Sequence, residues 1–265
     1  MVWPLFKRNM LSGIKIFVIL FAVICMYTTV IIYMYNPDLA EMLSGYQQAL
    51  PEMMTAVGMT GIAGSLLEWI QIYLYGFIMN LFPMIFVIII VNSFVMRYID
   101  RGGMASLLST PHSRFRIILT QAVSAAFMLV LLLAAVTGVG ILSCQFMFPG
   151  ELDISRYIQL NASEAILQLI ILAVAFAAAC VSSESKQYYT FGAGLPILFF
   201  LLTMLSNMGG KLENLKYCTV YTLFPAREIV QGASGWWVRD LVMGLIALVL
   251  FGGSILWFRR RDLSL

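Results

Sequence analysis

Charged side chains are scarce in this sequence of 265 residues. Lys, Arg, Asp and Glu together make up 11% of it, whereas soluble domains carry roughly 25%. Hydrophobic residues make up 61%, and the mean hydropathy is +0.91. This composition excludes an ordinary water-soluble domain. The net charge of only +3 gives no reason to expect a nucleic-acid partner.

Histidine occurs once, and the four cysteines are scattered. His112 follows Pro111 in a basic loop, so we interpret it as a solvated residue and not as a catalytic base. The cysteines form no CxxC pair, which excludes the common zinc and redox motifs. A disulfide between Cys144 and Cys218 stays open as an alternative to two buried thiols. We expect no metal and no cofactor on this chain.

A nucleotide-binding loop is absent as well. The single Gly-Lys pair, Gly210 and Lys211, is followed by Leu212, where a P-loop requires Ser or Thr. Any use of ATP therefore requires another polypeptide. The apolar stretches also lack paired acids, metal ligands and a nucleophile with its base, which disfavours an intramembrane enzyme.

Long apolar runs take the place of the missing charges. A helix needs about 20 apolar residues to cross hydrocarbon. Six stretches qualify: Ile16 to Tyr35, Ile72 to Met96, Ile117 to Cys144, Ala165 to Val181, Phe191 to Met204 with its flanks, and Trp236 to Phe258. We predict an all-α integral membrane protein with six transmembrane helices in one domain, residues 1–265.

The basic residues predict the orientation of these spans. Cytoplasmic loops carry an excess of Lys and Arg. If the N-terminus is cytoplasmic, eleven of the sixteen basic residues lie inside: Lys7, Arg8, Lys15, Arg97, Arg101, Arg114, Arg116, Lys186, Arg259, Arg260 and Arg261. We therefore expect a multi-pass protein of the cell membrane with both termini in the cytoplasm.

Three segments outside the spans are expected to contact the membrane surface. Residues 1–15 place Trp3, Phe6, Met10 and Ile14 at helical spacing, which favours an interfacial helix over a simple basic flank. Residues 36–70 fit either an amphipathic interfacial helix or a helix packed on the bundle. Residues 206–235 are expected to be partly re-entrant, as broken helices covered by protein.

Polar residues within the spans are few and mostly neutral. Asn80, Asn92 and Gln121 are candidates for lining a translocation path, although a hydrogen bond to a neighbouring helix is the more ordinary interpretation. Glu164 and Asp240 are expected at helix ends. The lack of charge inside the spans disfavours a proton- or sodium-driven carrier, so the energy would come from a partner.

The segment 97–116, between the second and third spans, is the most informative. It begins with Arg97, Asp100 and Arg101 at a helix exit, followed by two glycines that permit a bend. Met104, Leu107 and Leu108 then fall on one side of a short helix. We predict a cytoplasmic helix with an apolar face that docks on another protein.

The stretch from Leu107 to Arg114, Leu-Leu-Ser-Thr-Pro-His-Ser-Arg, resembles the first cytoplasmic loop of ATP-binding-cassette (ABC) permeases of the type 2, exporter-type class. In that family the loop forms a coupling helix seated on the ATPase subunit. The outer stretch from Leu50 to Gly58, the six spans and the tail from Phe258 to Leu263 agree with the resemblance. The sequence departs from the family at residues 100–103, where two glutamates often precede Gly-Thr.

The resemblance implies one half of a transporter. Two permease chains, in a homodimer or heterodimer, would form the path, and two separate ATPase subunits would bind ATP and magnesium. The residues that would couple this chain to the ATPase are Asp100, Arg101, Gly102, Met104, Leu107, Leu108, Pro111, Arg114 and Glu184. The apolar composition is compatible with a hydrophobic or amphipathic peptide, drug or lipid as substrate. The alternatives are an accessory or immunity-type ligand-binding protein and a secondary transporter.

Overall fold

The computed structural model describes residues 1–36, 51–59, 63–100, 102–103 and 112–260. Its regular structure in these ranges is entirely helical. Six helices are long and apolar enough to cross a membrane: α1 (Trp3–Tyr33), α4 (Ile78–Asp100), α5 (Arg114–Met147), α6 (Ile154–Val181), α7 (Ser185–Asn207) and α9 (Trp236–Arg260). The prediction of six such helices is confirmed.

Shorter helices connect these six. They are α2 (Pro51–Ala56), α3 (Leu66–Tyr73), α8 (Ala226–Gln231) and the two 3₁₀ segments Gly210–Cys218 and Val220–Leu223. Within α3, five of the eight residues are buried, and the indole of Trp69 donates to the carbonyl of Ile31 at 2.8 Å. Of the two interpretations of residues 36–70, the packed helix therefore fits α3. Residues 37–50 and 60–62 lie outside the described ranges.

The bundle has two ends, which we name by the chain termini. At the terminal face, the amide of Val2 donates to Thr120 at 2.8 Å, and Arg259 lies near Ser113 around a cavity. The distal face, at the other end, carries α2, α3, α8 and the 3₁₀ segments. The two ends of the described chain, near Val2 and Arg259, thus lie at one face, as expected for an even number of crossings.

Helix α6 lies at the centre of the bundle. It packs against α4, α5, α7, α8 and α9. More than half of the most apolar stretch of α4 and α6 is buried, 67% and 61%, against 22% in α1 and α7. Helices α1, α7 and α9 therefore present apolar surface outward, as expected for contact with lipid or with another chain.

The predicted separate helix over residues 1–15 is wrong. Helix α1 runs without interruption from Trp3 to Tyr33, because no residue in this stretch breaks the helical hydrogen bonding. Its first turn is fixed to α5 by Val2, Leu5 and Ile117, which form a small apolar cluster. A helix of this length measures about 46 Å, which exceeds the hydrocarbon thickness of about 30 Å.

Two predicted span boundaries also differ. The second long helix begins at Ile78, not at Ile72, because residues 74–77 interrupt the helical path after α3. The fourth begins at Ile154, eleven residues before the predicted Ala165. The carboxylate of Asp153 caps it by accepting from the amide of Arg156 at 3.1 Å. Glu164 consequently lies inside a helix and not at its end.

Residues 206–235 contain several short helical segments, and their re-entry into the membrane stays a prediction. Short 3₁₀ and α segments follow one another there, and Tyr221, Ile229 and Val230 are buried against the bundle. Arg156 holds α8 on α6 by donating to the carbonyl of Val230 at 2.9 Å. Both Cys144 and Cys218 are free thiols, so the alternative disulfide is not formed.

Candidate functional site

Glu164 is a fully buried acid inside an apolar helix. It lies ten residues after the start of α6 and exposes no surface. The amide nitrogen of Gln168, one turn later, donates to its Oε1 at 2.9 Å. Its Oε2 has no hydrogen-bond partner among the described residues. An ionisable side chain within a membrane-spanning helix costs several kcal/mol and marks a functional site by default.

Gln168 joins this acid to the start of α4. The same Nε2 atom lies 3.3 Å from the carbonyl oxygen of Met79 and 3.4 Å from that of Asn80. Asn80 in turn donates through Nδ2 to the carbonyl of Tyr75 at 2.6 Å. A chain of side-chain amides therefore connects the centre of α6 to the interrupted backbone between α3 and α4.

The interruption depends on a close backbone contact at Gly76. A Cβ atom at this position would lie 2.8 Å from the carbonyl oxygens of both Ile72 and Val57. The facing residue Gly58 has a φ of +77°, a backbone conformation that residues other than glycine rarely adopt. Two glycines thus let the segment after α2 lie against residues 74–77. The amide of Met79 resumes the helix by bonding to the carbonyl of Leu74.

Asn161 completes the polar side of α6. It precedes Glu164 by three residues, and Gln168 follows by four, so the three side chains share one helical face. Its Nδ2 donates to the carbonyl of Tyr157 at 2.8 Å. We call Asn80, Asn161, Glu164 and Gln168 the buried polar cluster, since each is at most 8% exposed.

Two tyrosines lie beside this cluster, toward the distal face. Burial raises the pKa of Tyr75 well above its ordinary value, and nearby Tyr157 and Glu164 raise it further. The pKa of Tyr221 is also raised, first by burial and then by Glu164. Both phenols therefore stay protonated and neutral at physiological pH.

A cavity of about 520 Å³ opens beside these tyrosines. Its lining includes Gln71, Tyr75, Asn80, Asn207, Tyr221 and Arg239. Arg239 forms an ion pair with Glu228 at 2.7 Å, which fixes part of the rim. We call this space the distal cavity. Its volume falls in the range of small-molecule sites, roughly 300–1,000 Å³.

The structure separates the three predicted path residues. Asn80 lines the distal cavity, as a path residue would. Asn92 lies near the terminal face, where its Oδ1 accepts from the hydroxyl of Ser185 at 3.4 Å. Gln121 is buried in α5, and neither of its amide atoms has a partner among the described residues. Only Asn80 therefore belongs to the candidate site.

The predicted coupling residues lie at the terminal face where the structure describes them. Asp100 ends α4, Arg114 begins α5 and Glu184 precedes α7. Gly102 has a φ of +65°, which suits the expected bend. The remaining predicted residues, Arg101, Met104, Leu107, Leu108 and Pro111, lie outside the described ranges.

One contact at this face joins two of the connecting segments. The amide of Ser185 donates to Oδ1 of Asp100 at 2.9 Å, and its hydroxyl bonds to Oδ2. The hydroxyl of Tyr188 donates to the carbonyl of Ile88 at 2.7 Å. The start of α7 is therefore attached to the last turns of α4 at two levels.

Sequence reasoning missed most of the buried polar cluster. The signal was present, since Asn161, Glu164 and Gln168 recur at spacings of three and four residues. It was not used because α6 was predicted to begin only after Glu164. Tyr75 and Tyr221 carry no such signal, because tyrosines are common at membrane interfaces.

Comparison with known proteins identifies no relative. No protein-family model matches the chain, and no curated protein matches it.

Proposed function

We propose that this chain is the membrane subunit of an ATP-driven ABC exporter and that it is coupled to separate ATPase subunits. The observation that carries the proposal is the bond between Asp100 and Ser185. Asp100 ends α4 shortly before the stretch that resembles a coupling helix, and Ser185 begins a different membrane-spanning helix. A force applied to that stretch would act on both helices.

The local helix geometry supports such coupling. Helix α4 contains a π-helical turn at Asn92–Met96, and α7 contains one at Tyr189–Ala193. π-helical turns are uncommon and are frequent at functional sites. The turn Asn92–Met96 contacts Ser185–Tyr188, the segment that directly precedes the second turn. In the proposed mechanism, ATPase closure pushes the coupling helix and changes how α4 and α7 pack at these turns.

The proposal fixes the partners and the location. Two ATPase subunits supply ATP and magnesium, and this chain carries no cofactor. A second permease chain, identical or different, completes the translocation path beside the exposed apolar faces. The terminal face lies on the cytoplasmic side of the cell membrane. The distal cavity, which Asn80 lines, faces the outside of the cell. The substrate is a hydrophobic or amphipathic peptide, drug or lipid.

Copurification tests the proposal directly. The tagged chain is isolated from its native membranes, and its partners are identified by mass spectrometry. We expect a P-loop ATPase to copurify, and we expect the double variant L107D/L108D to lose it while remaining inserted. The matched control is L212D, which places the same change on an exposed leucine of the distal face. An ATPase that never copurifies, or one that L107D/L108D retains, would reject the proposal.

A secondary transporter is the second candidate, and Glu164 is the observation that favours it. Buried acids in membrane helices commonly bind coupling ions. Transport by the purified chain alone, driven by an ion gradient in vesicles without any ATPase, would support this candidate. If vesicles containing both chain and ATPase bind a ligand but never transport it, an accessory or immunity-type protein is the better description.

A further inference from the structure

We propose that the buried polar cluster binds one monovalent cation, either a sodium ion or the ammonium group of a protonated amine, which enters from the distal cavity. This site goes beyond the proposed function and does not depend on it. It uses residues of α4 and α6 that lie far from the Asp100–Ser185 contact at the terminal face.

The cluster has more unpaired acceptor atoms than there are unpaired donors beside it. The hydroxyls of Tyr75 and Tyr157 also lack a partner, but they could supply only two hydrogen bonds. Four side-chain oxygens of the cluster have no donor among the described residues: Asn80 Oδ1, Asn161 Oδ1, Glu164 Oε2 and Gln168 Oε1. The NH₂ groups of the three amides already have acceptors. Asn80 donates to the carbonyl of Tyr75, Asn161 donates to the carbonyl of Tyr157, and Gln168 donates to Oε1 of Glu164. Unpaired buried oxygens cost free energy, and a cation satisfies several at once.

The helical path is interrupted beside the cluster, between α3 and α4. The C-terminal end of a helix carries partial negative charge and carbonyl groups without helical partners. Helix α3 ends at Tyr73, and the irregular residues 74–77 follow it. Asn80 bonds to the carbonyl oxygen of Tyr75 within this break, and Gln168 bonds to the carbonyl oxygen of Asn80 just after it, so the cluster and the break are in contact. Interrupted membrane helices with free carbonyls are a recurrent way to hold a monovalent cation.

The distal cavity provides a route to the site. Tyr75, Asn80 and Tyr221 line the distal cavity. Asn80 belongs to the cluster and lines the cavity itself, so the cavity reaches the cluster directly. Glu164 lies near enough to Tyr75 and Tyr221 to act on both electrostatically. The cavity is large enough for the rest of an amine-bearing ligand.

The chemistry of the cluster selects the class of cation. One carboxylate with neutral amide and carbonyl oxygens balances a single positive charge. Zinc prefers histidine nitrogen and cysteine sulfur ligands, and no three His, Cys, Asp or Glu side chains come together within the described ranges. The oxygens therefore suit a monovalent ion better than a transition metal.

The test uses the purified full-length chain in nanodiscs, without an ATPase. Thermal unfolding is measured against sodium chloride, against methylammonium chloride, and against N-methylglucamine chloride as the inert salt at equal ionic strength. We expect a saturable rise of several degrees with one of the first two cations only. Sodium-22 binding gives an independent affinity for the sodium arm.

Variants assign the binding to the cluster. E164Q keeps the shape and removes the charge, and we expect it to weaken binding at least tenfold. N161L removes one acceptor oxygen on the same face of α6, and it replaces E164Q as the test variant if E164Q does not fold. We expect N161L to weaken cation binding several fold. The matched control is D240N, because Asp240 is also a membrane-helix acid but bonds to Ser163 outside the cluster. D240N should bind like the unaltered chain.

Each outcome decides the proposal. A sodium response lost in E164Q or N161L assigns a sodium site, and a methylammonium response lost in the same way assigns an ammonium-binding site. No response to either cation leaves only a proton on Glu164 and overturns the proposal, as does a response that both variants retain. Copurification of an ATPase is unaffected by any of these results, so the two proposals fail separately.

Discussion

The amide of Ser185 donates a hydrogen bond to Oδ1 of Asp100 at 2.9 Å, across 85 positions of sequence. This contact connects the exit of α4 with the first turn of α7. It lies at the exposed terminal face, where water competes for both groups, so its contribution to overall stability is small. In the proposed mechanism its importance is mechanical, because it would make two helices respond to the same loop.

The first expected outcome concerns this bond. D100N removes the charge that both Ser185 groups face, so the start of α7 should open more often. We expect amide hydrogen exchange at residues 184–188 to become roughly five- to tenfold faster, as for the loss of about 1 kcal/mol of local stability. Mass spectrometry of the purified chain measures it. E151Q, an exposed acid at the distal face, should leave that exchange unchanged; equal rates in D100N would show that the contact is not formed in solution.

The second outcome concerns the backbone contact at Gly76. G76A places a methyl group 2.8 Å from two carbonyl oxygens, which neither backbone can avoid without shifting. We expect a loss of about 1–3 kcal/mol in the free energy of unfolding. The matched control is G244A in α9, where a Cβ meets nothing within 4 Å and where alanine favours the helix. If the two variants unfold at the same temperature in nanodiscs, the packing of α2 on residues 74–77 is wrong.

The third outcome concerns the free thiol of Cys218. It is exposed at the distal face, which the proposed orientation places outside the cell. A membrane-impermeant maleimide should therefore label the chain in intact cells. C218S should abolish the labelling, because Cys144 and Cys180 are buried and the partly exposed Cys25 lies within the membrane-spanning helix α1, where the reagent does not enter. Labelling seen only in inverted vesicles would reverse the orientation and with it the cytoplasmic assignment of the coupling loop.

The fourth outcome concerns Glu164 when no cation is supplied. An ionisable group without a partner for Oε2 destabilises the bundle. In N-methylglucamine buffer, E164Q should therefore be more stable than the unaltered chain, by about 1–3 kcal/mol. E228Q alters an acid of the same size that is 37% exposed and already paired with Arg239, and it should change stability by less than about 1 kcal/mol. A less stable E164Q would mean that the native carboxylate is already satisfied.

Hydropathy was sufficient to predict the six long helices, because each needs a run of apolar residues that a bilayer can accommodate. It failed at the start of α6, where Arg156, Asn161 and Glu164 lower the local hydropathy although the helix continues through them. Hydropathy did not predict the break at residues 74–77, for the opposite reason. Leu74, Tyr75 and Phe77 are apolar, so nothing in composition separates α3 from α4.

The candidate site was predictable only at one residue. Asn80 was selected as a polar residue in a span, and it does line the distal cavity. Asn92 and Gln121 met the same criterion but lie elsewhere, because burial and direction depend on the neighbouring helices. The coupling residues 101, 104, 107, 108 and 111 remain sequence-based predictions, since they lie outside the described ranges.

The central place of α6 has a consequence for biosynthesis. A charged residue near the middle of an inserting helix costs about 3 kcal/mol, so α6 alone should enter the membrane poorly, and E164Q should raise its insertion in a glycosylation-mapping assay. In the intact chain, α4 is synthesised first and offers the Met79 and Asn80 carbonyls that bond to Gln168. The order of synthesis thus supplies α6 with a polar partner at the moment when it leaves the translocon.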